Sequence, residues 1–453
     1  MTRTTTENGR RLTPALGAGG LVAGYLALAL APLAVAAVTA PAGSGFSREL
    51  GSGLAIVAYA MMLVQFVLIG RFRPISGRVG IDAILRLHQL LARLLTVFLL
   101  LHPFIYALPR LASDPAAYGA SVVTMFSAPA FASGIVALAL LLVLMLLGLR
   151  RTRLPFSYEA WRASHGALAA VIAIAGLHHA FTVGELSAHP ALRGLWLLLA
   201  VLALATLLHG YLVRPLLQLR RPWRVAEVRR LGPARWHLAL EPEGEPLAFS
   251  AGQFVWLKVG RLPFTLRENP FSVICAPGAR RIEFLIREAG DFTGSVGSLR
   301  PGDRAWVDGP HGAFTLHAAA GAKRIVMLAG GVGLAPILSM LRAAADAGDR
   351  RAFHLVFANR TREQVVPLAA IDDLGARLDL KTDLVLSEPP ADWTGVRGQM
   401  DARTLLPLLA AGAGADTIYY LCGPPPMVRA SLAALVALGV SPRRIVTERF
   451  DYE

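Results

Sequence analysis

Residues 324–337 read RIVMLAGGVGLAPI. An apolar strand-like run meets Gly330, Gly331 and Gly333 and passes into a helical stretch, so backbone N–H groups and a helix dipole converge on one turn, where a diphosphate can bind. The pattern is not G-x-G-x-x-G, because Pro336 stands where the third glycine would fall. Downstream, FHLVFANR (353–360) and TIYYLCG (417–423) read as further strands, and the alternation predicts a parallel α/β domain. In FANRTREQ (357–364), Asn359, Arg360 and Arg362 follow the second strand, where a nucleotide 2′-phosphate would lie. A guanidinium suits phosphate through paired hydrogen bonds, so Arg360 points to NADPH, with NADH and a plain solvated loop as the alternatives.

Upstream of this turn the texture changes. From about Pro222, short runs rich in Val, Phe and Trp are broken by Gly and Pro, as in FSAGQFVWLKVG (249–260) and RIEFLIREAGDF (281–292), and read as strands of a small antiparallel barrel. In AGDFTGSV (289–296), Gly290, Thr293, Gly294 and Ser295 offer N–H and hydroxyl groups to a pyrophosphate at a helix start, with an ordinary turn as the alternative.

Composition places the rest of the chain in lipid. The 453 residues are 55% hydrophobic and 17% charged, against about 25% charged in an ordinary soluble domain, and the mean hydropathy is +0.52. The formal charge of +15 is mostly arginine in short segments between apolar runs, which fits membrane topology and not nucleic-acid binding. Two cysteines, Cys275 and Cys422, exclude a four-thiolate iron–sulfur cluster, a zinc finger and a disulfide framework within this chain.

Apolar runs near residues 15–40, 52–70, 80–108, 128–149, 160–183 and 190–213 are each long enough to span about 30 Å of hydrocarbon. The first follows Arg10 and Arg11 but exceeds the core of a secretory signal, so it reads as a membrane helix. Arginine clusters at 3, 10 and 11, at 71, 73 and 78, at 150, 151 and 153, and at 214, 220 and 221 occupy alternate loops, whereas the other loops hold only Arg48, Arg110 and Arg193. The positive-inside rule then puts both ends of the bundle in the cytoplasm and runs the third and fifth helices outward.

Those two helices carry the histidines. His88 and His102 are fourteen residues apart, which leaves them about 40° apart on one helix face and about 21 Å apart along the axis. His165 and the pair His178–His179 repeat the arrangement, so each membrane level offers two imidazoles from facing helices, as bis-histidine haem ligation requires. Helical phase favours His179, since His178 falls about 140° from His165. His209 lacks a partner at matching spacing and reads as structural, and Arg93 points away from the His88 face.

In order along the chain, the six helices with paired histidines, NPFS (269–272), DGPHGAF (308–314), LAGGVGLAPI and LCGPPPM (421–427) resemble the ferric reductase and NADPH oxidase family, in its bacterial branch. The resemblance implies a six-helix membrane bundle with haem sites (1–218), an antiparallel β-barrel FAD-binding domain (219–318) and an α/β NAD(P)-binding domain (319–453). It implies that Asn269, Pro270, Phe271 and Ser272 meet the flavin, that Cys422, Gly423, Pro424 and Met427 form the nicotinamide-side loop, and that Phe450 shields the flavin ring. Cys422 and Phe450 would thus flank hydride transfer. Two features depart from the pattern: Asn269 stands where the family usually has histidine, and three residues follow Phe450.

The implied activity is electron transfer from cytoplasmic NAD(P)H through FAD and two b-type haems to oxygen or a ferric chelate outside a bacterial inner membrane. Coupling to a quinone or a periplasmic protein is the enzymatic alternative, and a haem or proton transporter the non-enzymatic one.

Overall fold

The computed structural model describes residues 17–40, 45–72, 75, 79–366, 368–409, 414 and 416–448. The chain forms two compact units, Met1–Tyr211 and Leu212–Glu453.

The first unit is all-helical: α1 (Ala18–Thr39), α2 (Phe46–Leu68), α3 (Ile81–Ala107), α4 (Ala132–Leu149), α5 (Tyr158–Thr182) and α6 (Pro190–Leu208). Among the described residues, these make six helices long and apolar enough to cross a membrane. Leu- and Ala-rich sequence sustains them, Ser157 caps α5 by accepting from Ala160 N, and Pro190 opens α6 where its missing N–H costs nothing. α2 is the hub. Its Tyr59, Leu63 and Phe66 are buried among the neighbouring helices, Tyr59 donates to the Ala173 carbonyl at 2.8 Å, and its ring packs 5.0 Å from Trp196. Gly176 on α5 makes room, since a Cβ there would strike the Tyr59 ring. Val136, Leu142, Val143 and Leu146 on α4 are exposed, an outward apolar surface suited to lipid. The stretch between α3 and α4, expected as a loop, holds the helix Pro115–Ser127, capped by Asp114.

The second unit holds two sheets. The first, antiparallel, has the order β4-β3-β6-β1-β2-β5, with β1 (Trp223–Gly232), β2 (Arg235–Pro242), β3 (Phe254–Val259), β4 (Asn269–Ser272), β5 (Ile282–Arg287) and β6 (Arg304–His311). A bridge between Val273 and Phe284 joins the two end strands and closes the barrel. The second sheet is parallel, in the order β10-β9-β8-β7-β11-β12, with β7 (Arg324–Gly330), β8 (Ala352–Asn359), β9 (Leu380–Leu386), β10 (Val396–Arg397), β11 (Thr417–Cys422) and β12 (Ile445–Glu448). Helix α7 (Leu334–Asp346) follows β7 and α8 (Pro425–Ala437) follows β11.

The unit boundary precedes the 218 expected from sequence. Arg214 pairs with Asp308 at 3.1 Å and Gln218 accepts from Lys258 at 3.5 Å, so the short helix Arg214–Leu219 is bonded to the barrel.

Candidate functional site

Strand order reverses between β7 and β11, and in open α/β sheets ligands bind beyond the carboxyl ends of the strands at such a point. Here the two loops meet at contact distance. Gly331 has φ +54°, in the left-handed region that glycine adopts without strain. A Cβ on Gly333 would run into the Cys422 carbonyl, one on Gly330 into Met427 Sδ, and one on Gly423 would lie 2.9 Å from that same sulfur. Gly330, Gly333, Gly423 and Met427 therefore form one closely packed wall, with Pro424 against Gly330. Pro336 lies buried in the first turn of α7, where no intrahelical N–H bond is lost. Cys422 is fully buried, and burial together with the Glu448 charge pushes its thiol well above the ordinary range, so it is not a thiolate nucleophile.

The barrel reaches the nicotinamide-side loop through a chain of neighbours. Ser272 on β4 is register partner to Phe254 on β3, which in turn faces His311 on β6. Gly312 follows, and a Cβ there would lie 2.9 Å from Glu448 Oε1, while Glu448 is register partner to Cys422. An unbroken row of residues thus links the NPFS strand to the nicotinamide-side loop. Phe271 packs on Phe284 and Phe292 at 6.1 and 5.9 Å, and Pro270, lacking an N–H, sits in β4 opposite Trp256. Beside Asn269, Glu268 and Lys258 form a buried ion pair at 3.6 Å. Two bonds tie α7, the helix after the glycine turn, to the segment that follows β4: Ser339 donates to the Cys275 carbonyl at 2.7 Å and Arg342 to the Ile274 carbonyl at 3.0 Å.

The turn at Gly290–Ser295 is exposed. Thr293 Oγ1 accepts from Ala289 N at 2.7 Å and donates to the Gly290 carbonyl at 3.1 Å, Gly294 N bonds that same carbonyl, and Ser295 Oγ donates to the Phe292 carbonyl, so both hydroxyls are engaged locally. Arg360 and Arg362 extend past β8, each paired with an acid: Glu388 at 2.7 Å and Asp392 at 3.1 Å. Phe450 lies outside the described residues.

In the helical unit two histidines from different helices meet. The rings of His88 and His165 lie 6.4 Å apart, inclined at 68°. An iron bonded at about 2 Å to one nitrogen of each would hold the centroids roughly 6 Å apart, so the pair fits a haem iron. Trp161 tilts over His165 at 5.1 Å, with Arg151 above it at 4.7 Å. At the other level, His102 Nδ1 lies 2.6 Å from the Leu99 carbonyl, which makes Nδ1 the protonated nitrogen and leaves on Nε2 the lone pair that a metal would need. His179 packs 6.3 Å from Phe131, in a space that exists because residue 134 is glycine. His178 is exposed and bonds Ser133 Oγ at 3.0 Å. The Nδ1 atoms of His88, His165 and His179 have no hydrogen-bond partner among the described residues. His209 instead stacks on Phe72 at 5.5 Å.

Comparison with known proteins matches both halves. A family model for the ferric reductase like transmembrane component covers residues 54–176, and one for the oxidoreductase NAD-binding domain covers 327–432. Ferredoxin–NADP reductase B of Sorangium cellulosum is 32% identical over 241 residues, which is 50% of this chain and 96% of that relative. The chain is a ferric-reductase-like membrane domain fused to a ferredoxin-reductase-family module. NADH-cytochrome b5 reductase 1 of Laccaria bicolor is 35% identical over 155 residues, 33% of this chain and 50% of its own. This ferric-reductase-like protein spans about half the length of the cytochrome b5 reductases it matches. A cytochrome P450 reductase structure from Amycolatopsis, 27% identical, covers 51% of this chain and 70% of its own with a TM-score of 0.46.

Four residues of this ferric-reductase-like chain escaped the sequence reading: Glu448, Glu388, Ser339 and Gly134. None belongs to a recognisable motif. Each gains its place through a partner far along the chain, and only the acid after a strand end, at Glu388, carries a local signal.

Proposed function

We propose that this protein carries electrons from a cytoplasmic reduced nicotinamide nucleotide across the membrane to an outer acceptor, ferric iron or oxygen, using FAD in the second unit and two haems in the first. The observation that carries the reading is the His88–His165 pair, spaced at 6.4 Å on helices of the same chain that ends in a dinucleotide crevice. When bound, the flavin accepts a hydride and releases electrons singly to haem iron, which takes one at a time. The turn at Gly330, Gly331 and Gly333, packed against Gly423, holds the nucleotide diphosphate close to the backbone. Asn269, Pro270, Phe271 and Ser272 line the flavin, and the Gly290–Ser295 turn offers N–H groups to its pyrophosphate. Cys422 bounds the space where the nicotinamide and flavin rings meet, and the resemblance assigns the ring-shielding role to Phe450. His88 with His165, and His102 with His179, hold the haems.

Purified protein should contain about two haems per chain, and a His88→Ala, His102→Ala double variant should retain neither. Haem content near zero in the parent, or unchanged in the double variant, would overturn the proposal.

A further inference from the structure

Asn359 ends β8, one residue past the Ala358–Gly330 register pair, and strand alternation puts it on the same sheet face as Phe353, Leu355 and Phe357, the face covered by α7. The residue is 8% exposed, and neither its amide nitrogen nor its amide oxygen has a hydrogen-bond partner among the described residues. A buried amide left unpaired is costly and marks a place for a ligand that can both donate and accept. Just beyond, the strand ends are latched together. Glu388 N donates to the Arg360 carbonyl at 2.8 Å, and Arg360 Nε donates to Glu388 Oε1 at 2.7 Å.

We infer that Asn359 and Glu388 read the adenosine ribose of the nucleotide, and that Glu388, by holding Arg360, sets the site for a free 2′-hydroxyl in preference to a 2′-phosphate. A hydroxyl donates to a carboxylate or to an amide oxygen and accepts from the amide nitrogen, so it suits both residues. A phosphate dianion only accepts. It would meet the Asn359 amide oxygen and the Glu388 carboxylate as repulsive neighbours, and its natural partner, the Arg360 guanidinium, is already engaged. Arg360 thus belongs to the site as sequence expects, but its acid partner reverses the preference for NADPH that arginine alone implies.

This rests on the reading of the crevice as a nicotinamide-nucleotide site. The test is calorimetric titration of the full chain in detergent with NAD+ and NADP+. The parent should bind NAD+ more tightly, by roughly tenfold. Glu388→Gln should lower the Kd for NADP+ relative to NAD+ by roughly tenfold, and Asn359→Asp should raise it, because a second carboxylate faces the phosphate. A parent that prefers NADP+, or a Kd ratio untouched by both substitutions, overturns the inference. If the ratio shifts as stated but neither NADH nor NADPH reduces bound flavin, the electron-transfer reading fails and the ribose reading stands. Binding of neither nucleotide overturns both.

Discussion

Gly333 has φ −62° and ψ −9°, angles any residue adopts, yet only a hydrogen fits where its side chain would be, because the Cys422 carbonyl occupies that space. The constraint is close approach of two loops and not backbone conformation, whereas at Gly331 the positive φ itself demands glycine. Gly333→Ala should push the 330–333 and 422–427 loops apart, costing about 1–3 kcal/mol of stability as overpacking does. NAD+ affinity, measured by calorimetry, should fall roughly tenfold; an unchanged Kd would show that the loops do not cradle the nucleotide. The glycines were legible in the sequence as a motif. Their reason was not, since Cys422 lies far downstream and meets Gly333 only once β7 and β11 are neighbours.

Among the secondary-structure elements, α3 and α5 were legible from hydropathy and their histidines from spacing, because a helix converts residue number directly into angle and height. Phase favours His179 over His178, and in the structure His179 is the one beside Phe131 while His178 is exposed beside Ser133. What phase cannot supply is the neighbour that makes room. α4 presents Gly134 to the His179 ring, and any side chain there would collide with it. Gly134→Leu should therefore displace His179 and reduce haem content from about two to about one per chain, as measured by pyridine haemochrome. Retention of both haems would rule out His179 as the outer ligand. The barrel was legible from Val, Phe and Trp runs between glycines and prolines, but the strand pairing that closes it was not. The Val273–Phe284 bridge joins its ends, and pairing partners are set by register across the whole sheet.

For the molecule as a whole, the proposed function makes transfer vectorial: under it the arginine placement would set the second unit on the cytoplasmic side and His102 and His179 toward the far side. In sealed liposomes supplied with NADH or NADPH on the reductase side and an impermeant acceptor within, His102→Ala should abolish acceptor reduction while flavin and the His88–His165 haem are still reduced. Delivery at the parental rate would exclude a path through the outer pair. The sequence by itself determined the six spans, the order of membrane and nucleotide-binding parts and the strand character of both sheets, because each follows from local periodicity or from a short motif. Tertiary structure alone decided that Glu448 stands beside Cys422, that the α7 side chains Ser339 and Arg342 bond the strand segment after NPFS, that the exit helix belongs to the barrel through Arg214 and Gln218, and that Arg360 is held by Glu388. In each case the partners lie on different elements, and their meeting depends on strand order and packing, which no local pattern encodes.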